Sequence, residues 1–223
     1  MIDSQFPAEV LDRLQRAGVV AVLILDRAED AVPLARALIE GGVTAMELTL
    51  RTPAARDGLR AIRGEVPEML AGVGTVLTPE QVWQVADADA AFAVSPGLNR
   101  AVIEEAQSRN LPFAPGVVTP SEVEAALELG CRELKFFPAE PSGGLEYLKS
   151  MAAPYAHLGV RFVPLGGVNT ENTPRYLADP SILAVGGTWI APRQAIAERD
   201  WEGIARRAAE VHQIVQQVRL GDA

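Results

Sequence analysis

Apolar residues in this chain fall into short, β-rich runs separated by longer stretches with helical periodicity. After an amphipathic opening segment, "MIDSQFPAEVLDRLQRAG", the runs read "VVAVLIL" (19–25), "TAMELTL" (44–50), "MLAGVGTV" (69–76) and "AFAVS" (91–95). They continue as "PFAPGVV" (112–118), "ELKFF" (133–137), "RFVPLGG" (161–167) and "ILAVGG" (182–187). Helix-like segments such as "AEDAVPLARALIEGG" and "TPSEVEAALELG" lie between them. Pro79 behind Thr78 and Pro120 behind Thr119 read as first-turn prolines after capping threonines, each with an acid in the first turn to suit the helix dipole. Gly41-Gly42 and Gly130 sit where helices should stop.

Strands that alternate with helices pair in parallel through crossover connections. About eight such units predict a (β/α)8 TIM barrel with an extra N-terminal helix, as one domain over residues 1–223. A doubly wound open sheet is the competing architecture. It expects a glycine fingerprint after the first strand, where this chain reads "LDRAED" with no glycine. In a barrel, the groups that do chemistry belong at the C-terminal ends of the strands and in the loops that follow.

Composition narrows the class. The chain has 223 residues, 48% of them hydrophobic, which is ample for a core. No apolar run approaches the ~20 residues of a membrane-spanning helix, and the N-terminus lacks the basic start and apolar centre of a secretory signal. The single cysteine, Cys131, excludes an internal disulfide and fits a reducing cytoplasm. A formal net charge of −9 argues against nucleic-acid binding, which needs basic faces. It leaves room for a small anionic substrate held by a few local donors.

Three places carry candidate chemistry. In "MELTLRT", alternation puts Glu47, Thr49 and Arg51 on one face and Met46, Leu48 and Leu50 on the other. The apolar set would face the helices, so a carboxylate and a guanidinium would point into the barrel. That is costly unless they are paired or used. One reading is an internal Glu47–Arg51 pair; the other is that Arg51, at the strand's end, grips a carboxylate bidentately.

In "CRELKFFPAE", Lys135 stands among Leu134, Phe136 and Phe137. Lysine occurs only here and at Lys149, while arginine supplies the rest of the positive charge. A buried ammonium is disfavoured against the neutral amine, and a neutral amine attacks ketones to form a Schiff base. Arginine cannot do this, because it is never neutral in proteins. A solvated lysine, or a structural partner for Glu47, is the plainer alternative; Glu47 and Arg51 on the same interior tip the balance toward chemistry. Third, "PLGGVNTEN" and "VGGTWIAP" place Gly166-Gly167 and Gly187-Thr188 after the last two strands. That is the usual phosphate cradle of such barrels, often helped by a helix N-terminus. Thr75 in "GVGTV" and Pro96 in "SPG" end the third and fourth strands.

Other groups fail the location test. His157 and His212 do not follow barrel strands, no His/Cys/Asp cluster has metal-ligand spacing, and Cys131 precedes its strand and should only pack.

The segments "MELTLRT", "GVGTVLTPEQV", "AVSPGLN", "ELKFFPAE", "PLGGVN" and "VGGTW", in this order, cover nearly the whole chain. In them it resembles the class I 2-keto-3-deoxy-6-phosphogluconate (KDPG) and 4-hydroxy-2-oxoglutarate (KHG) aldolases. The resemblance implies that Lys135 forms the imine with the substrate's C2 ketone and that Glu47 shuttles protons. It implies that Arg51 and Thr75 hold the pyruvyl end, with Pro96 walling the pocket, and that Gly166, Gly167, Gly187 and Thr188 bind the distal phosphate. Products would be pyruvate with glyceraldehyde 3-phosphate, or with glyoxylate from the shorter acid, as in Entner–Doudoroff carbohydrate metabolism. It also implies a homotrimer that needs no metal or cofactor, the protonated imine being the electron sink. One position departs from the family pattern. Many members have threonine where this chain has Leu165, which puts the C4 stereochemical preference and the ranking of the two substrates in doubt. Thr188 replaces a serine and keeps the hydroxyl. A phosphosugar isomerase or epimerase using Glu47 as base, and a non-catalytic ligand-binding barrel, are the competing functions.

Overall fold

The computed structural model describes residues 4–221; residues 1–3 and 222–223 at the ends of the expected 1–223 domain, with the first residues of the opening segment, lie outside the described residues. Among the described residues, nine short strands form in chain order: β1 (Val19–Leu23), β2 (Ala45–Thr49), β3 (Leu70–Gly74), β4 (Ala93–Val94), β5 (Phe113–Ala114), β6 (Gly116–Val117), β7 (Glu133–Phe136), β8 (Arg161–Pro164) and β9 (Val185–Gly187). Ten α-helices accompany them: α1 (Ala8–Ala17), α2 (Ala31–Glu40), α3 (Ala54–Glu65), α4 (Pro79–Asp87), α5 (Arg100–Ser108), α6 (Pro120–Glu128), α7 (Gly144–Ala152), α8 (Thr173–Leu177), α9 (Arg193–Ala197) and α10 (Trp201–Leu220). Every apolar run of the sequence therefore carries a strand.

All named strand pairs are parallel. Six strands lie in the order β5-β4-β3-β2-β1-β9, and three in the order β6-β7-β8. The run 112–118 is split between these two sheets. Pro115 has no N–H to give a ladder and interrupts it, while its carbonyl accepts from Lys135 N at 2.9 Å. On the other side, isolated parallel bridges join Phe162 to Ile182 and Leu165 to Gly186. The fold is thus α/β, built on parallel strands and their crossover helices.

The helix signals hold in detail. Thr78 and Thr119 each accept from the backbone of the third helical residue, and Gln81 and Glu122 reach back to complete capping boxes behind Pro79 and Pro120. "AEDAVPLARALIE" starts with a 3-10 turn at Ala28–Asp30 before α2. Apolar side chains sort into two clusters. Met46 and Leu48 pack toward the helices in the larger one. Ala45, Val20, Val94 and Leu183 face the strands' other side, where Phe6 and, from α1, Leu14 and Ala17 join them. The period-2 assignment of β2 is therefore correct.

Cys131 is 2% exposed, and burial, with the nearby Glu133 charge, pushes its thiol up to about 12. The native thiol should resist iodoacetamide at pH 8 and react only as fast as the chain opens, which mass spectrometry of timed aliquots will read. Between about pH 9 and about 12 the unfolded thiol loses its proton while the folded one keeps it. This group therefore lowers stability as pH rises through that window. Among the described residues, no helix is long and apolar enough to cross a membrane.

Candidate active site

The strand ends converge on one cavity of about 720 Å³, counting the space open to solvent. Its lining contains every residue singled out from the sequence: Glu47, Arg51, Thr75, Pro96, Lys135, Leu165, Gly166, Gly167, Gly187 and Thr188. They come from six different strand ends, as the architecture requires of a site at the C-terminal face.

Lys135 sits on β7 and Glu47 on β2, both facing inward. Lys135 Nζ lies 3.1 Å from Glu47 Oε1 and 3.4 Å from Oε2. Lys135 is 6% exposed and Glu47 2%. The partner of Glu47 is therefore Lys135, and the Glu47–Arg51 pair considered from the sequence does not form. Arg51 lies beyond the end of β2, exposed, and pairs with no carboxylate among the described residues. Its guanidinium is left for an anion from outside. Lys135 Nζ also lies 5.7 Å from the centre of the Phe137 ring.

Two backbone features make room for this pair. Gly74 ends β3 against Glu47, and a Cβ on Gly74 would stand 1.6 Å from Glu47 Oε1. Any side chain there would displace the carboxylate. Thr75 follows with φ 61, a left-handed conformation that costs a β-branched residue on the order of 1–3 kcal/mol. Leu50 N to Gly74 O at 2.9 Å and Val76 N to Val94 O at 3.2 Å hold the chain on either side of it.

The two glycine turns lie across the mouth. Gly166 and Gly167 have φ of 91 and 86, which L side chains rarely adopt. Neither turn runs straight into a helix: α8 starts only at Thr173 and α9 only at Arg193. The backbone groups of the turns themselves are therefore what each presents directly after its strand. Gly187 is backed by the Trp189 ring.

Leu165 lines the mouth and also a second, narrow cavity of about 20 Å³ beside Lys135 and Glu47. That inner space is walled by Phe6, Val20, Phe92 and Leu183, with Glu133 the further ionisable group. Glu133 is satisfied separately, accepting from Ser4 Oγ at 2.6 Å and Arg161 Nη2 at 3.0 Å. Between the loop after β1 and the start of α9, Arg193 donates two hydrogen bonds to Asp26, at 2.9 and 2.6 Å, and holds its carboxyl below the usual range.

Sequence reasoning missed Val22, Ile24 and Val168 in the lining, and the need for Gly74. Val20, Val22 and Ile24 recur every second residue, so the signal for two of these was present in the alternation of the first run.

A buried amine–carboxylate pair at the mouth of a parallel α/β fold, with an arginine beside it that is unpaired among the described residues and glycine turns in the same lining, makes an enzyme-like site. The chain belongs to the KDPG and KHG aldolase family, whose model matches residues 10–207. It is 45% identical over 206 residues to the 2-dehydro-3-deoxy-phosphogluconate aldolase of Treponema pallidum, covering 92% of this chain and 97% of that protein. It is 44% identical over 197 residues to the KHG/KDPG aldolase of Escherichia coli K12, covering 88% and 92%. Among solved structures, it resembles KDPG aldolase from Legionella pneumophila holding pyruvate as a covalent carbinolamine, with TM-score 0.86, 38% identity and coverage of 91% and 97%. It also resembles the Zymomonas mobilis ZM4 enzyme with 3-phosphoglycerate, with TM-score 0.84, 40% identity and coverage of 92% and 95%.

Proposed function

We propose that this chain is a class I aldolase that cleaves KDPG to pyruvate and glyceraldehyde 3-phosphate, and KHG to pyruvate and glyoxylate. The observation that carries this is the buried Lys135–Glu47 contact, 3.1 Å long, at the floor of a cavity open to solvent. A buried ion pair is weak evidence for stability alone, so its position at a mouth is better explained by use. Passing one proton from Lys135 to Glu47 leaves a neutral amine beside the acid that then serves the carbonyl.

The amine adds to the C2 ketone, giving a carbinolamine, and Glu47 returns a proton as water leaves, giving the protonated imine. Glu47 then takes the proton of the C4 hydroxyl. The C3–C4 bond breaks, its electrons move into the imine as an enamine, and the aldehyde departs. Protonation at C3 and addition of water release pyruvate and restore Lys135. Arg51 and Thr75 hold the pyruvyl carboxylate end, and Pro96 and Leu165 wall the chain. Gly166, Gly167, Gly187 and Thr188 take the phosphate. Isomerase or binding-only functions leave an amine in this position without a task.

The same reading has one domain, with β1–β9 closing as an eight-stranded (β/α)8 barrel, β5 and β6 counting as one strand broken at Pro115, and α1 as the extra helix. The bridges from Phe162 of β8 to Ile182 and from Leu165, just after β8, to Gly186 of β9 support closure. It also includes a homotrimer, for which half-exposed Leu77 and Trp83 offer apolar surface, and a cytoplasmic setting.

The experiment is pyruvate release assayed in parallel from KDPG, its C4 epimer and KHG. Cleavage of KDPG or KHG is expected. Because Leu165 brings no hydroxyl to the mouth, discrimination between the C4 epimers should stay below about a hundredfold, the scale one lost hydrogen bond can supply. Turnover of none of the three, with epimerisation of a phosphosugar, would replace the aldolase with an isomerase.

A further inference from the structure

Glu140 follows β7 in the same loop as Phe137, yet takes no part in the steps above. Its side chain is 30% exposed. Ala139 N donates to Leu165 O at 2.7 Å and Glu140 N to Gly166 O at 2.9 Å, joining the lysine strand's loop to the first glycine turn. The Glu140 side chain lies directly against that turn: a Cβ on Gly167 would stand 2.6 Å from Glu140 Cβ. Its carboxylate then reaches past the turn to the helix that follows. Tyr176 Oη donates to Oε1 at 2.5 Å, and Arg175 Nη2 lies 2.9 and 3.0 Å from the two oxygens. Tyr176 is fully buried, and burial together with Glu140 pushes its phenol up.

One residue thus touches the turn by backbone and by side chain and anchors α8 beyond it. An unneutralised carboxylate at this turn would repel an anionic substrate; Arg175 and the Tyr176 hydroxyl draw its charge to the far side. The Arg175–Glu140 pair is too exposed to add much stability, while the Tyr176 hydrogen bond satisfies a buried hydroxyl and so fixes the direction of the Glu140 side chain beside the turn.

We propose that Glu140 is a positioning residue for the phosphate end, fixing the Gly166–Gly167 turn relative to Lys135 so that phosphorylated ligands, and not pyruvate, depend on it. This rests on the glycine turns being the phosphate cradle of the aldolase proposed above. Glu140→Ala removes the clamp; Glu140→Gln keeps an oxygen acceptor for Tyr176 and should restore most of it. Tyr176→Phe removes the donor from the other side and keeps the ring.

The test is the dissociation constant of 3-phosphoglycerate, by calorimetry, beside the rate of borohydride trapping with pyruvate. For Glu140→Ala, 3-phosphoglycerate binding should weaken about tenfold, the effect of losing one good hydrogen bond's worth of order, while pyruvate trapping changes by less than twofold. Glu140→Gln should lie within about threefold of wild type, and Tyr176→Phe between the two. Should Glu140→Ala fail to fold by circular dichroism, Tyr176→Phe carries the comparison. Unchanged phosphate binding in the variants, equal loss for both ligands, or no 3-phosphoglycerate binding by wild type overturns the inference. A wild type that binds 3-phosphoglycerate but cleaves no keto acid overturns the aldolase instead, and the Glu140 comparison still stands.

Discussion

Lys135→Ala is expected to lower keto-acid cleavage by roughly 10⁴-fold or more, as loss of a covalent nucleophile does. No other side chain replaces it. Lys149 is exposed on α7 and is not part of the mouth lining, and every remaining cationic side chain is an arginine or histidine. The variant has a second consequence that must be separated from the first. Glu47 would be left 2% exposed with its amine partner gone, and breaking a buried pair from one side costs about 3–5 kcal/mol unless the carboxyl takes up a proton. Lys135→Met with Glu47→Gln leaves no charge to bury, and is expected to melt closer to wild type than Lys135→Ala while remaining equally inactive. Steady-state rates with thermal melts of all three proteins check this. Activity that survives in a folded Lys135→Ala protein would remove the imine from the mechanism.

Glu47→Gln should lower kcat by about 10²–10⁴-fold, the range for loss of general acid–base catalysis. Glutamine has the same shape and fits the space that Gly74 leaves, so the pocket and the positions of Arg51 and Thr75 should persist. KM for KDPG should therefore change little, since ground-state binding is made elsewhere, while kcat and kcat/KM fall together. Stopped-flow and steady-state kinetics separate the two constants. A rise in KM with normal kcat would make Glu47 a binding group; a near-normal rate would remove it from proton transfer.

Much of this site was legible because two regularities fix it. Alternation along "MELTLRT" and "ELKFF" decided which side chains point inward, and parallel strand order decided that their ends meet. Thr188 was legible from its turn after the last strand, while Leu165 was singled out only by the family resemblance. What stayed hidden depends on contacts between distant parts of the chain. Glu47 and Lys135 are 88 residues apart; the sequence left both Lys135 and Arg51 open as partners of the carboxylate, and only packing decides for Lys135. The left-handed Thr75 is invisible because nothing in a threonine announces a positive φ. Gly74 reads as an ordinary strand glycine until the Glu47 side chain is seen to fill the space beside it. The break at Pro115 was open to inspection, since a proline inside a strand run signals interruption. Glu140 stands in the most recognisable segment of the chain, but its partners Arg175 and Tyr176 come from α8, which no local pattern connects to it.

The central claim is that Lys135 forms a covalent imine with a keto acid. Incubation with pyruvate and borohydride, followed by peptide mass spectrometry, tests it most directly. One reduced pyruvyl adduct per chain is expected on the peptide carrying Lys135, absent without pyruvate and absent from Lys135→Ala. An unmodified protein, or an adduct confined to Lys149, would contradict it.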